Sequence, residues 1–198
     1  MPNLASRRVV FQLAAAAAMF TAAPMVGPAM AADPSQSVQN TAQQVIGIGK
    51  TKTGAARQAA ILGVLQTNFD MPAMARAALG THWNTATEQE RARFLKAVAT
   101  AEAKAYSERF GQYGGQTLTI GKVTPRKDAV IVDSRLNQTS GQPIKLEWEV
   151  RGDRITDVKV EGVSMVMTRR SDFNSYIKNN GGTVDPLIKE LESRAVAR

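Results

Sequence analysis

The chain has no cysteine and one histidine, His82, among its 198 residues. Without thiols it can form no disulfide, no thiol nucleophile, no haem thioether and no lipid anchor on an N-terminal cysteine. A metal site built on histidine needs further histidines or cysteines as co-ligands, and none exists. A catalytic triad needs a nucleophile and a carboxylate arranged about its histidine, which a sequence does not display. His82 beside Trp83 reads as a packing or rim residue. Aromatic residues make up only 6% and no arginine-rich run occurs, which leaves little for nucleic acid to stack on or pair with. The one long apolar stretch is short and broken by Pro24 and Pro28, which speaks against a retained membrane span.

That stretch reads as an export signal. Arg7-Arg8 form a basic n-region, Leu13 to Phe20 an alanine-rich h-region, and Ala29-Met30-Ala31 a small-x-small cleavage site. Cleavage is expected after Ala31, which leaves 32–198 as one domain, long enough to bury a core without staples. Ser6-Arg7-Arg8 resembles the opening of a twin-arginine signal. Val10, Phe11 and Gln12 fit the rest of that pattern poorly, and the ordinary secretory route is favoured. Losing Arg7 and Arg8 lowers the formal charge from +8 to +6. The remaining basic residues are scattered among acids, as on a mixed solvated surface. Export directs any residual attraction to anionic membranes or acidic proteins rather than to nucleic acid.

Beyond the leader the apolar period is helical, then strand-like, then helical again. Val38, Ala42, Val45 and Ile46 mark a helix over 33–50, and Ile61, Leu62, Val64 and Leu65 one over 54–68. Asp70 and Gly80 bracket a short helix over 71–79. Thr87 and Glu90 form a capping box for a long helix reaching Phe110, with Phe94, Val98, Ala101 and Ala105 inward. Apolar residues then alternate at Leu118/Ile120, Val130/Val132, Ile144/Leu146/Trp148/Val150 and Val158/Val160, as in strands with one buried face. The links at 124–128, 137–143 and Gly152-Asp153 are short, which allows an antiparallel meander of four strands and excludes parallel crossovers. Helices over 164–180 and from Asp185-Pro186 close the chain. The fold class is α+β, with helices on one face of a curved sheet.

Gly47-Ile48-Gly49-Lys50-Thr51 looks like the end of a phosphate-binding loop. The first motif glycine is replaced by Gln44, and the segment follows a helix where the motif needs a strand. Gly47 and Gly49 are therefore expected simply to end the first helix. Met71, Met74, Met165 and Met167 suit an adaptable apolar surface, although methionine at helical spacing is also ordinary core. Arg170 offers planar donors to a phosphate, or else a salt bridge to Asp172 or Glu161.

Two ordered blocks carry a family resemblance. The first runs from Phe69-Asp70-Met71-Pro72-Ala73-Met74 through Ala78-Leu79-Gly80, His82-Trp83 and Thr87 to Phe94. The second runs from Asp157-Val158 through Val160-Glu161-Gly162-Val163-Ser164-Met165-Val166, then Arg170-Ser171-Asp172-Phe173, Gly181-Gly182 and Leu187-Ile188. Together they resemble the MlaC, or toluene-tolerance, family of periplasmic phospholipid-binding carriers. Arg170 matches the family pattern; Arg169 departs from the tyrosine common there.

The resemblance implies an NTF2-like cone of six to seven helices around a sheet and an apolar cavity. It implies no catalysis and no cofactor beyond bound phospholipid as cargo. The implied protein is a monomer in the Gram-negative periplasm, passing lipid between an inner-membrane MCE-domain ABC transporter complex and an outer-membrane lipoprotein–porin complex. The expected lining is Leu118, Ile120, Val130, Val132, Ile144, Leu146, Trp148, Val150, Val158 and Val160. Met71, Met74, Leu79, Trp83, Met165 and Val166 are added from the helices. Arg170 is the candidate for a modest head-group contact, with the acyl tails dominating recognition. Three other readings stay open: a hopanoid carrier, an NTF2-like enzyme using Asp157 or His82, and an adaptor that binds only proteins.

Overall fold

A computed structural model describes residues 33–110 and 115–196. The export signal and its cleavage site lie outside the described residues. Helix α1 (Pro34–Thr51) starts where Asp33 accepts the Ser35 N–H at 2.9 Å and Pro34 opens the first turn, a position that needs no donor. Helix α2 spans Gly54–Asn68. Asp70 accepts the Ala73 N–H at 3.0 Å to start α3 (Met71–Leu79), which stops at Gly80 with φ +61°. A single turn, α4 (His82–Thr85), follows, and was not foreseen. The capping box at α5 (Glu88–Phe110) forms as read: Thr87 N–H donates to Glu90 at 2.8 Å and Glu90 N–H to Thr87 Oγ1 at 3.2 Å.

The first helix does not end at Gly47 or Gly49; it continues through both to Thr51. Gly49 serves close packing instead. A Cβ there would stand 3.0 Å from the Phe110 carbonyl oxygen, so the missing side chain lets α1 approach the end of α5.

Strands β1 (Thr117–Pro125), β2 (Val130–Asn137), β3 (Ile144–Arg151), β4 (Arg154–Val160) and β5 (Val163–Ser164) form one antiparallel sheet in chain order. The expected four-stranded meander therefore gains a fifth, two-residue strand. Its turn is Glu161-Gly162, with φ +50° and +82°, the paired positive values of a tight primed hairpin. Glutamate is a poor signal for such a turn, which hid it. Ladder irregularities between Ile120 and Val123 and between Glu149 and Val150 bend the strands and raise their twist. The outer face of the sheet carries charge: Glu147 pairs with Lys145 at 3.1 Å and Lys159 at 3.4 Å, and Glu149 with Arg151 at 2.9 Å.

Ser164 caps α6 (Met165–Asn179) through the Met167 N–H at 3.0 Å, and α7 (Asp185–Val196) lies along α5. Alanines on two sides of α5 let it pack between α2 and α7. The buried apolar residues form three clusters rather than one. The first joins α3, α5, α6 and α7 around Phe94, Ile177 and Ile188; the second joins the sheet to Val38 of α1; the third sets Ile61 and Leu65 of α2 against Ala103. Among the described residues no helix is long and apolar enough to cross a membrane.

Phe94 is fully buried and meets Phe173 edge-on, with ring centroids 5.7 Å apart. Phe94→Ala should cost about 3–5 kcal/mol, read from chemical denaturation. A loss below about 1 kcal/mol would mean that the first cluster can collapse around the gap.

Candidate functional site

Where the three clusters meet they leave a cavity of about 340 Å³. Its wall draws on each of them: Ala75, Ala78, Val98, Val166 and Phe173 from the first, Leu146 and Trp148 from the second, Ile61 and Leu65 from the third. Many of its large apolar side chains are only partly buried, including Val45, Ile46, Phe69, Leu118, Leu136, Ile144, Val158, Val160 and Phe110. Apolar groups pointing inward without becoming buried mean that the interior is not filled by protein.

The strand register shows how the sheet shapes this space. Leu118, Leu136 and Ile144 stand side by side across β1, β2 and β3, and all three line the cavity. In the next row Leu146 and Val160 line it, and in the one after that Trp148 and Val158 do. The last row, Val130, Val150 and Ile155, lies wholly in the sheet cluster and contributes nothing to the wall. One end of the inner face is thus closed core and the other is open wall. Trp148 is held upright by its indole N–H, which donates to the buried Ser134 hydroxyl at 2.8 Å.

The expected residues separate accordingly. Leu118, Ile144, Leu146, Trp148, Val158, Val160, Met71, Met74, Met165 and Val166 line the cavity. Ile120, Val130, Val132 and Val150 pack in the sheet cluster, Leu79 is fully packed in the helical cluster, and Trp83 lies against the guanidinium of Arg91. Leu136 also lines the cavity, beyond the expected residues. It continues the inward alternation of β2 past Val132 and Ser134, opposite Leu118 and Ile144. Also absent from the expected lining are Val45 and Ile46, which the sequence offers only as apolar positions marking the first helix, and the aromatic pair Tyr106 and Phe110, stacked at 5.7 Å.

Arg169 and Arg170 point to different places. Met165, Val166, Arg169 and Phe173 share the cavity face of α6 at helical spacing. Met167, Arg170, Ser171 and Asn174 share another face, around a second, polar depression. There Arg170 packs over Gly80, where a Cβ would meet its Nε at 3.0 Å, and His82 Nε2 sits 3.2 Å from Asn174 Oδ1. Arg170 therefore does not stand at the cavity.

Arg169 does. It grips Glu102 with two N–H groups, Nη2 donating to Oε2 at 3.0 Å, and this carboxylate holds its pKa above the ordinary value. Among the described residues, Glu102, Arg109 and Arg169 are the charged residues of the lining. Tyr106 lies beside them, its phenol pushed up first by burial and then by Glu102. Asp157, the acid considered for the enzyme reading, is half-buried and accepts from Ser164 Oγ at 2.6 Å and from the N–H groups of Val158 and Val166 at 2.8 and 3.2 Å. It ties β4 to the start of α6.

Ser134→Ala would leave the Trp148 indole N–H buried without an acceptor. A loss of about 1–3 kcal/mol is expected, measured by urea denaturation; an unchanged midpoint would show that Trp148 is not held by this bond.

The profile of the family described as MlaC protein matches residues 36–193. Among solved structures the chain is similar to a phospholipid-binding protein from Ralstonia solanacearum, determined in complex with a phospholipid. The two share 18% identity at a TM-score of 0.69, over 83% of this chain and 97% of the other. That likeness shows a common fold, and the matched profile spans most of the sequence. The chain belongs to the MlaC family.

Proposed function

We propose that this protein is a periplasmic carrier that takes the acyl chains of a glycerophospholipid into its cavity and moves the lipid between membrane-bound complexes, without chemistry. The observation that carries this reading is the set of half-exposed apolar side chains around unfilled interior space. A cavity of about 340 Å³ lies within the range of small-molecule sites. Without cargo its apolar wall stays unburied, at a cost of roughly 25 cal/mol for each Å² left in contact with water. Walls that close on one another recover part of that cost. The relative from Ralstonia, solved with a phospholipid, supports the same reading.

Energetics supply the need. Each methylene exposed to water costs roughly 0.8 kcal/mol, so two chains of about thirty carbons together cost on the order of 20–25 kcal/mol. Lipid does not cross an aqueous gap unaided at a useful rate. A carrier offers apolar solvent at nearly the free energy of the bilayer, so that cargo can be both loaded and released.

Support for a carrier over an enzyme comes from the ionisable residues. Glu102, the acid at the cavity, is held by Arg169, while His82 and Asp157 do not line the wall. Support for a carrier over a protein-only adaptor comes from the unfilled interior.

Organic extraction of the purified protein followed by mass spectrometry should release diacyl phospholipid in near-stoichiometric amount, and delipidated protein should melt lower. Leu146→Asp, which sets a charge among the tails, should cut lipid occupancy far more than Arg170→Ala, because burying an unpaired charge costs several kcal/mol. Native protein free of lipid, with the same melting temperature before and after extraction, would contradict the proposal. Recovery of a polycyclic lipid instead would favour the hopanoid reading.

A further inference from the structure

We propose that the corner formed by Tyr106, Arg109 and Arg169 reads the phosphodiester of the cargo, the one polar group that all glycerophospholipids share. This rests on the carrier reading above. Glu102, Tyr106 and Arg109 stand at i, i+4 and i+7, on one face of α5, opposite Arg169 of α6, and all four line the otherwise apolar cavity. Arg109 is exposed, so this corner of the wall reaches solvent.

Three features point to an anionic, acceptor-rich ligand group. Two arginines face one glutamate among the charged lining residues, a net charge of one sign that complements a singly charged phosphodiester. The Tyr106 side chain lies in the cavity wall and its hydroxyl makes no hydrogen bond to protein among the described residues, so its O–H can donate to a ligand oxygen. Arg169 has five donors. Glu102 takes two and Asp172 a third, at 3.4 Å, which leaves N–H groups over. Glu102, with only 14% of its side chain exposed, fixes the guanidinium plane in advance, so Arg169 loses little freedom on meeting an oxyanion.

The arrangement ends at the phosphate. Among the described residues the rest of the lining is apolar apart from Thr41 and Trp148, whose donors are taken by the Ser37 carbonyl and the Ser134 hydroxyl, so selection should act on the presence of phosphate and not on the alcohol attached to it.

The test is competitive loading of delipidated protein from vesicles holding equal amounts of phosphatidylethanolamine, phosphatidylglycerol and diacylglycerol with identical acyl chains, read by native mass spectrometry. Wild type should prefer either phospholipid to diacylglycerol by about tenfold or more and take the two phospholipids within about threefold of each other, since charge-assisted hydrogen bonds of this kind are worth a factor of ten or more. Tyr106→Phe keeps the ring stack with Phe110 and should reduce the preference several-fold. The double variant Glu102→Gln, Arg169→Gln, which removes both members of the part-buried ion pair together, should nearly abolish it, with diacylglycerol uptake retained. If wild type takes diacylglycerol and phospholipid equally, or if both variants keep the full preference, the phosphate site is wrong while the carrier reading stands. Uptake of no lipid at all by wild type would remove both.

Discussion

Apolar side chains from three separate clusters face one another across a space they do not fill, and the rest of the structure holds that space open. Collapse would bury Leu118, Leu136, Ile144, Val45 and Ile46 against each other, which the hydrophobic effect favours. It is opposed by what stands behind the walls. The sheet is bent at two ladder irregularities and sealed at its far end by Val130, Val150 and Ile155 against Val38. Helix α1 is drawn onto α5 at Gly49, and α5 is fixed from its other side by α7. Close-packed interiors deform reluctantly, so well-packed clusters on every side make a persistent gap between them.

The polar residues at the cavity act in the same direction. Trp148 would be free to fall into the space if its indole did not donate to Ser134, and Arg169 would be free to leave for solvent if Glu102 did not hold it. In the proposed carrier these bonds keep one wall firm and one corner polar while tails supply most of the binding free energy. A site with little else to offer the cargo releases it nearly as readily as it loads it, which is what transfer between two membranes requires.

Much of the fold was legible in sequence because it follows from local chemistry. Asp33, Asp70 and the Thr87–Glu90 box set helix starts, and alternation at Ile144, Leu146, Trp148 and Val150 set a strand and its inner face. The fifth strand was hidden because Glu161-Gly162 is an unusual pair for a primed turn. The site was legible only in part, since parity says which face of a strand points inward but not how far along it the packing is complete. Val132 and Val150 share that face with Leu146 and Trp148, yet only the latter pair lines the cavity. The adjacent arginines show the same limit on a helix: one residue turns the side chain by about 100°, which puts Arg169 at the cavity and Arg170 over Gly80.

The central claim is that the unfilled space receives acyl chains. Photoreactive residues placed singly at Leu136 and Ile144, on the cavity wall, and at Glu147 and Lys159, on the outer face of the same strands, test it directly in protein isolated with its lipid. Illumination should attach acyl chains at the first two positions and not at the second two. Equal labelling on both faces, or labelling only outside, would contradict the account.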